Sequence, residues 1–142
     1  MLSGMNDAAQ AMIDAAYAAR ARGDRAAGLR GYIAAAEALR GLDAPQRLAH
    51  TVRHVADIQR ELGHHEAALA NYTEALAIYR ADAATGKLDL GNTLRGYALL
   101  MQDLGDRTAA RALWAEAGEL YEAVGVQAGI DEARRQVEAL GR

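Results

Sequence analysis

Apolar and polar positions follow a helical period along this chain, and one order of small and large residues returns three times. The turn glycines Gly23, Gly63 and Gly105 lie 40 and 42 residues apart. Five residues after each comes a small residue (Gly28, Ala68, Ala110), and nine after it a large aromatic (Tyr32, Tyr72, Trp114). Alanine follows at twelve (Ala35, Ala75, Ala117), and a large side chain at sixteen (Leu39, Tyr79, Tyr121). Seven residues before each glycine stands another alanine (Ala16, Ala56, Ala98). A fixed period of this length is the signature of stacked supersecondary units.

The pattern predicts seven helices. The first spans about Asp7 to Arg22, with Met12, Ala15, Ala16 and Ala19 on one face. Gly23 ends it and Asp24 caps the second, which runs to about Arg40 with Leu29, Tyr32, Ile33, Ala36 and Leu39 inward. Pro45 suits the first turn of the third, whose apolar stripe is Leu48, Val52, Val55, Ala56 and Ile58. His64 stands where a capping Asp is found in the other turns, before a fourth helix from about His65 to Arg80. A longer linker over Asp82 to Lys87 leads to the fifth helix, about Leu88 to Leu104. Asp106 caps the sixth, Gly125 breaks it, and the seventh covers about Gln127 to Leu140. The expected organisation is one all-α domain over residues 1–142, with helix pairs at about 7–40, 45–80 and 88–124. The helix at about 127–140 has one polar face and caps the stack. Within a pair, Ala16, Ala56 and Ala98 are expected to meet Gly28, Ala68 and Ala110, where small side chains let helices approach.

Composition narrows the chemistry. Hydrophobic residues make up 51% of the 142, yet aromatics only 5%, so alanine supplies much of the apolar content and helices dominate. The net charge is −3 with both signs interleaved, and no basic patch favours a nucleic-acid partner. There is no cysteine, which removes disulfides and thiolate chemistry and fits a reducing compartment. No apolar stretch nears the ~20 residues of a membrane span, and Met1 to Gln10 lacks the pattern of a signal peptide, so a cytoplasmic location is expected. Fifteen arginines against the single Lys87 point, through codon bias, to a GC-rich bacterial genome.

Candidate sites are few. His50, His54, Asp57 and Glu61 fall on one stripe of the third helix. Two His and a carboxylate can ligate a divalent metal, but no further ligand is evident, and a polar groove-facing stripe explains them better. Arg53 and Arg95 occupy equivalent places in two units, as do His50 and Asn92. The two guanidinium groups either clamp a carboxylate together or pair with neighbours such as Asp57 and Glu61. Ser3 is the only serine, Gly86-Lys87 lacks the rest of a phosphate loop, and Asn71-Tyr72-Thr73 lies mid-helix. Glu116 and Glu119 look like ordinary helix-surface carboxylates. Nothing here assembles an enzyme, and no cofactor or metal is expected.

The segments Gly63-His-His-Glu-Ala-Ala-Leu-Ala-Asn-Tyr-Thr-Glu-Ala-Leu and Gly105-Asp-Arg-Thr-Ala-Ala-Arg-Ala-Leu-Trp-Ala-Glu-Ala resemble the second-helix pattern of tetratricopeptide repeats. The resemblance covers about Asp7 to Leu140, with Gly28 in place of the family's alanine in the first unit. The period of 40–42 exceeds the usual ~34, and Arg40, Arg80 and Glu122 stand where a closing proline is common. In this the chain is similar to the long-period variant of kinesin light chains and many bacterial repeat proteins. The resemblance implies a right-handed α-α superhelix of three antiparallel helix pairs plus a capping helix. It also implies non-catalytic binding of a protein or peptide segment in a concave groove. Tyr17, His50, Arg53, His54, Asp57, Asn92, Arg95 and Leu99 are the residues expected to line that groove. The family's Lys- and Asn-based carboxylate clamp is not implied, because Lys87 lies in a linker. Two alternatives are a self-associating module, a homodimer through the first helix with its Met5, Met12 and Ile13, and a metal- or small-molecule-sensing domain.

Overall fold

A computed structural model describes the backbone of residues 2–142 and the side chains from residue 4 onward. The described residues form seven α-helices and no strand. They are α1 (Leu2–Ala21), α2 (Arg25–Arg40), α3 (Pro45–Glu61), α4 (His65–Ala81), α5 (Lys87–Asp103), α6 (Arg107–Val124) and α7 (Gln127–Leu140). Helix α1 starts five residues before the expected Asp7. The side chain of Ser3 lies outside the described residues.

The tight turns are built alike. Gly23, Gly63 and Gly105 adopt φ of 85°, 79° and 81°, a left-handed conformation open to glycine at no steric cost. Each closes two reverse bonds over the helix end. The amide of Asp24 donates to Ala19 O and that of Gly23 to Arg20 O, at 3.0 and 2.9 Å. His64 and Asp106 repeat the longer bond to Gln59 O and Met101 O. The last carbonyls of each helix are thereby satisfied before the chain reverses. Asp24 and Asp106 then accept from the amides of Ala27 and Ala109 at 3.0 Å each, capping α2 and α6. Gly125 ends α6 in the same left-handed conformation. Lys87, the sole lysine, is exposed at the head of α5.

The chain divides into two compact units, Met1–Ile78 and Tyr79–Arg142. In the first, α1 packs on α2 and α2 on α3. A Cβ on Gly31 would come within 2.9 Å of Ala16 Cβ, so the α1–α2 approach runs through this pair as well as Gly28. Arg47, near the head of α3, reaches back to α1 and donates to Gln10 Oε1 at 2.8 Å. In the second unit α5 packs on α6 and α6 on α7. Its core joins Ala98, Trp114 and Ala133, with Leu99, Leu113, Val137 and Leu140 against them.

Around each exposed turn glycine the recurring positions are buried: the alanines before the turn, the small residues after it, and the aromatics beyond. Three inward assignments are corrected. Met12 and Ile33 are each 38% exposed, and Ala15 is exposed. Ala15 and Ile33 each stand one position from a buried residue, Ala16 and Tyr32, and so face solvent, whereas Met12 shares the stripe of Ala9 and Ala16 and its exposure has no structural explanation.

Candidate functional site

The polar stripe on α3 folds into a network rather than a row of free side chains. His50 and His54 meet through their Nε2 atoms at 3.1 Å, the rings edge to face at 71°. His54 also stacks on Tyr32 of α2, with centroids 4.9 Å apart and planes within 6°. Arg20 of α1 donates from Nη1 to His54 Nδ1 at 3.3 Å. Arg53 Nη2 comes within 3.5 Å of His54 Nε2, so a guanidinium group stands at each ring nitrogen. Burial, with Arg53, His50 and Arg20 adding to it, pushes the His54 pKa down to about 2, so the ring is neutral.

Arg53 and Asp57 form an i,i+4 pair at 3.0 Å, with side chains only 13% and 10% exposed. Asp57 also accepts from the hydroxyl of Tyr72 on α4 in a short hydrogen bond. Burial first, then the Asp57 carboxylate, raises the Tyr72 pKa and keeps the phenol a donor. Glu61 accepts from Arg20 and, at 2.9 Å, from Arg25. Burial opposes its ionisation, but the two guanidinium bonds prevail and hold its carboxyl below the usual range. Two buried atoms have no hydrogen-bond partner among the described residues: Tyr32 Oη and Arg53 Nε. Burial raises the Tyr32 pKa against the pull of Arg20 and Arg53. Tyr17, 66% exposed, and the half-buried Arg20 border a cavity of about 310 Å³ on this unit.

Of the residues picked from sequence, the structure joins His50, Arg53, His54 and Asp57 in this one network. Asn92, Arg95 and Leu99 sit in the second unit with other neighbours. Asn92 accepts from Tyr121 Oη at 2.8 Å. Arg95 grips Glu132 of α7 with two bonds, Nη2 to Oε2 at 3.1 Å. Leu99 is half-buried against the Trp114 core. Each arginine of the conjectured clamp therefore holds a carboxylate of its own unit.

Sequence reasoning missed Arg20, Arg25 and Tyr32 as members of the cluster. One signal was present. A buried tyrosine or tryptophan needs a partner for its polar tip, and the repeat places one at the same position each time. Tyr72 finds Asp57, Trp114 donates to Gln102 Oε1 at 2.6 Å, and Tyr32 finds none. Among the described residues no group of three or more His, Cys, Asp or Glu is arranged to hold a metal ion. Among the described residues no helix is long and apolar enough to cross a membrane. No protein-family profile matches the chain, and no curated protein is significantly similar to it.

Proposed function

We propose that this chain is a non-catalytic binder of protein segments, built as a right-handed stack of antiparallel helix pairs like those of tetratricopeptide repeats. Its first unit would receive an acceptor-bearing side chain, of which a carboxylate is the best match. The observation that carries this reading is an excess of donors on the α1–α3 face. Arg20, Arg25 and Arg53 face two carboxylates, Asp57 and Glu61, and His54 adds no charge of its own. Arg53 Nε and Tyr32 Oη remain unsatisfied, and Tyr17 of the same unit is exposed. A buried donor without an acceptor costs about 1–3 kcal/mol, which an incoming oxygen would recover. Tyr17 offers an apolar surface beside that charge, a combination suited to a peptide.

Selection from a random peptide library on the immobilised full chain tests the reading. Enrichment of Asp- and Glu-containing peptides is expected, with affinity reduced at least tenfold by Arg20→Gln or Arg53→Lys. Enrichment without acidic residues, or affinity unchanged in folded variants, removes it.

Self-association through α1 is the second reading. Met5 and Met12, 50% and 38% exposed, lie seven residues apart on one stripe of that helix. A mass that rises with concentration and falls back with Met5→Lys and Met12→Lys would favour this reading over the first.

A further inference from the structure

The α6–α7 face of the second unit repeats, position by position, the α2–α3 face of the first. Counted from the preceding turn glycine, Ile33, Ala36, Glu37 and Arg40 of α2 correspond to Ala115, Gly118, Glu119 and Glu122 of α6. On the opposite wall, Val52, Val55 and Gln59 of α3 correspond at one constant offset to Ile130, Ala133 and Val137 of α7.

In the first unit this face seats a helix. Ala75 of α4 packs against Ala36, Val52 and Leu48. Arg40 donates to both oxygens of Glu74, at 2.7 and 2.8 Å, and holds that carboxyl below its ordinary range. Asn71 Nδ2 donates to Gln59 Oε1 at 2.7 Å. In the second unit the same face is an open groove of about 300 Å³. Its floor is Trp114, Gly118, Ile130, Ala133 and Val137, and its rim carries Glu119, Glu122 and Glu138 against the one cation Arg134. Arg134 donates to Glu122 at 3.2 Å, with both side chains more than half exposed. Of the matched positions, two change polar character. Acidic Glu122 stands where Arg40 binds the acid of α4, and apolar Val137 stands where Gln59 binds its amide.

We propose that the α6–α7 groove docks an amphipathic, cationic helix of a partner protein, seated as α4 is seated on α2 and α3. Charge complementarity sets the sequence of its buried stripe. An apolar residue replaces the Asn71 position, Lys or Arg the Glu74 position, and a small residue remains at the Ala75 position. The mode is a helix laid in a groove and read through residues one turn apart. It uses residues of the second unit alone.

The probe is a peptide of the α4 sequence, His65–Ala81, carrying Asn71→Leu and Glu74→Lys. It is titrated against the full chain and followed by emission of Trp114, the single tryptophan, and by amide shifts. Saturable binding is expected, at least tenfold tighter than for the unaltered α4 peptide, with shifts in α6 and α7. Ala115→Arg, in the exposed wall, is expected to weaken binding at least tenfold, and Glu122→Lys to reverse the order of the two peptides. No binding, equal binding of the two peptides, or shifts confined to α2 and α3 overturns the proposal. Binding unaffected by Glu122→Lys does the same. Concentration-dependent association of the chain alone that Ala115→Arg removes also overturns it, because the occupant is then a second copy.

Discussion

In α3 the positions thirteen, ten and six residues before the turn glycine hold His50, Arg53 and Asp57, and in α5 they hold Asn92, Arg95 and Leu99. The buried faces of the two helices match closely. Thr51, Val52, Ala56 and Ile58 of α3 answer Thr93, Leu94, Ala98 and Leu100 of α5, all buried. The other faces have parted. Arg95 of α5 reaches α7 and Leu99 joins the core, so that face is closed by its own unit. The Arg53–Asp57 pair of α3 lies within one helix and leaves Arg53 Nε without an acceptor. Packing positions thus keep the repeat, while the intervening positions are free to acquire chemistry.

The strongest way to break the comparison is Asp57→Ala. It leaves the Arg53 charge and the Tyr72 hydroxyl without their shared partner, and a loss of about 3–5 kcal/mol is expected by denaturant titration. Leu99→Ala at the matching place removes a half-buried side chain and is expected to cost about 1–2 kcal/mol. Equal losses would show that the α3 network is no more committed than ordinary packing. Next come the notches. Ala56→Leu and Ala98→Leu should each destabilise by about 1–3 kcal/mol through overpacking, and unchanged melting would refute the shared register.

Acid separates the units further. Neutral His54 in the fold takes up a proton readily once unfolded, so its contribution is full above pH ~6.5 and fades as pH falls. Between pH 7 and 5 the first unit is expected to lose up to about 2 kcal/mol, a dependence that His54→Gln flattens. Amide exchange read in α3 and α5 separately checks it. The smallest effect is expected from Arg95→Gln, whose pair with Glu132 is partly exposed and contributes about 0–1 kcal/mol.

The scaffold was largely legible in the sequence because its determinants are local. A left-handed turn requires glycine, a helix start favours Asp24 and Asp106, and close helix approach requires residues such as Ala16 and Ala56. Ala15 and Ile33 face solvent because each lies one position from the buried stripe, a difference that apolar identity alone does not reveal. The candidate site was half legible. Helical spacing places His50, His54, Asp57 and Glu61 together. It does not reveal Arg20 arriving from α1, nor the Tyr32 ring under His54, because those contacts depend on how separate helices meet.

Lys87 carries a practical consequence. A lysine-specific protease has one peptide bond to attack, just inside the head of α5. Its cut would leave α1–α4 and α5–α7 as two fragments with their helices almost whole, so the folding of each can be measured by itself.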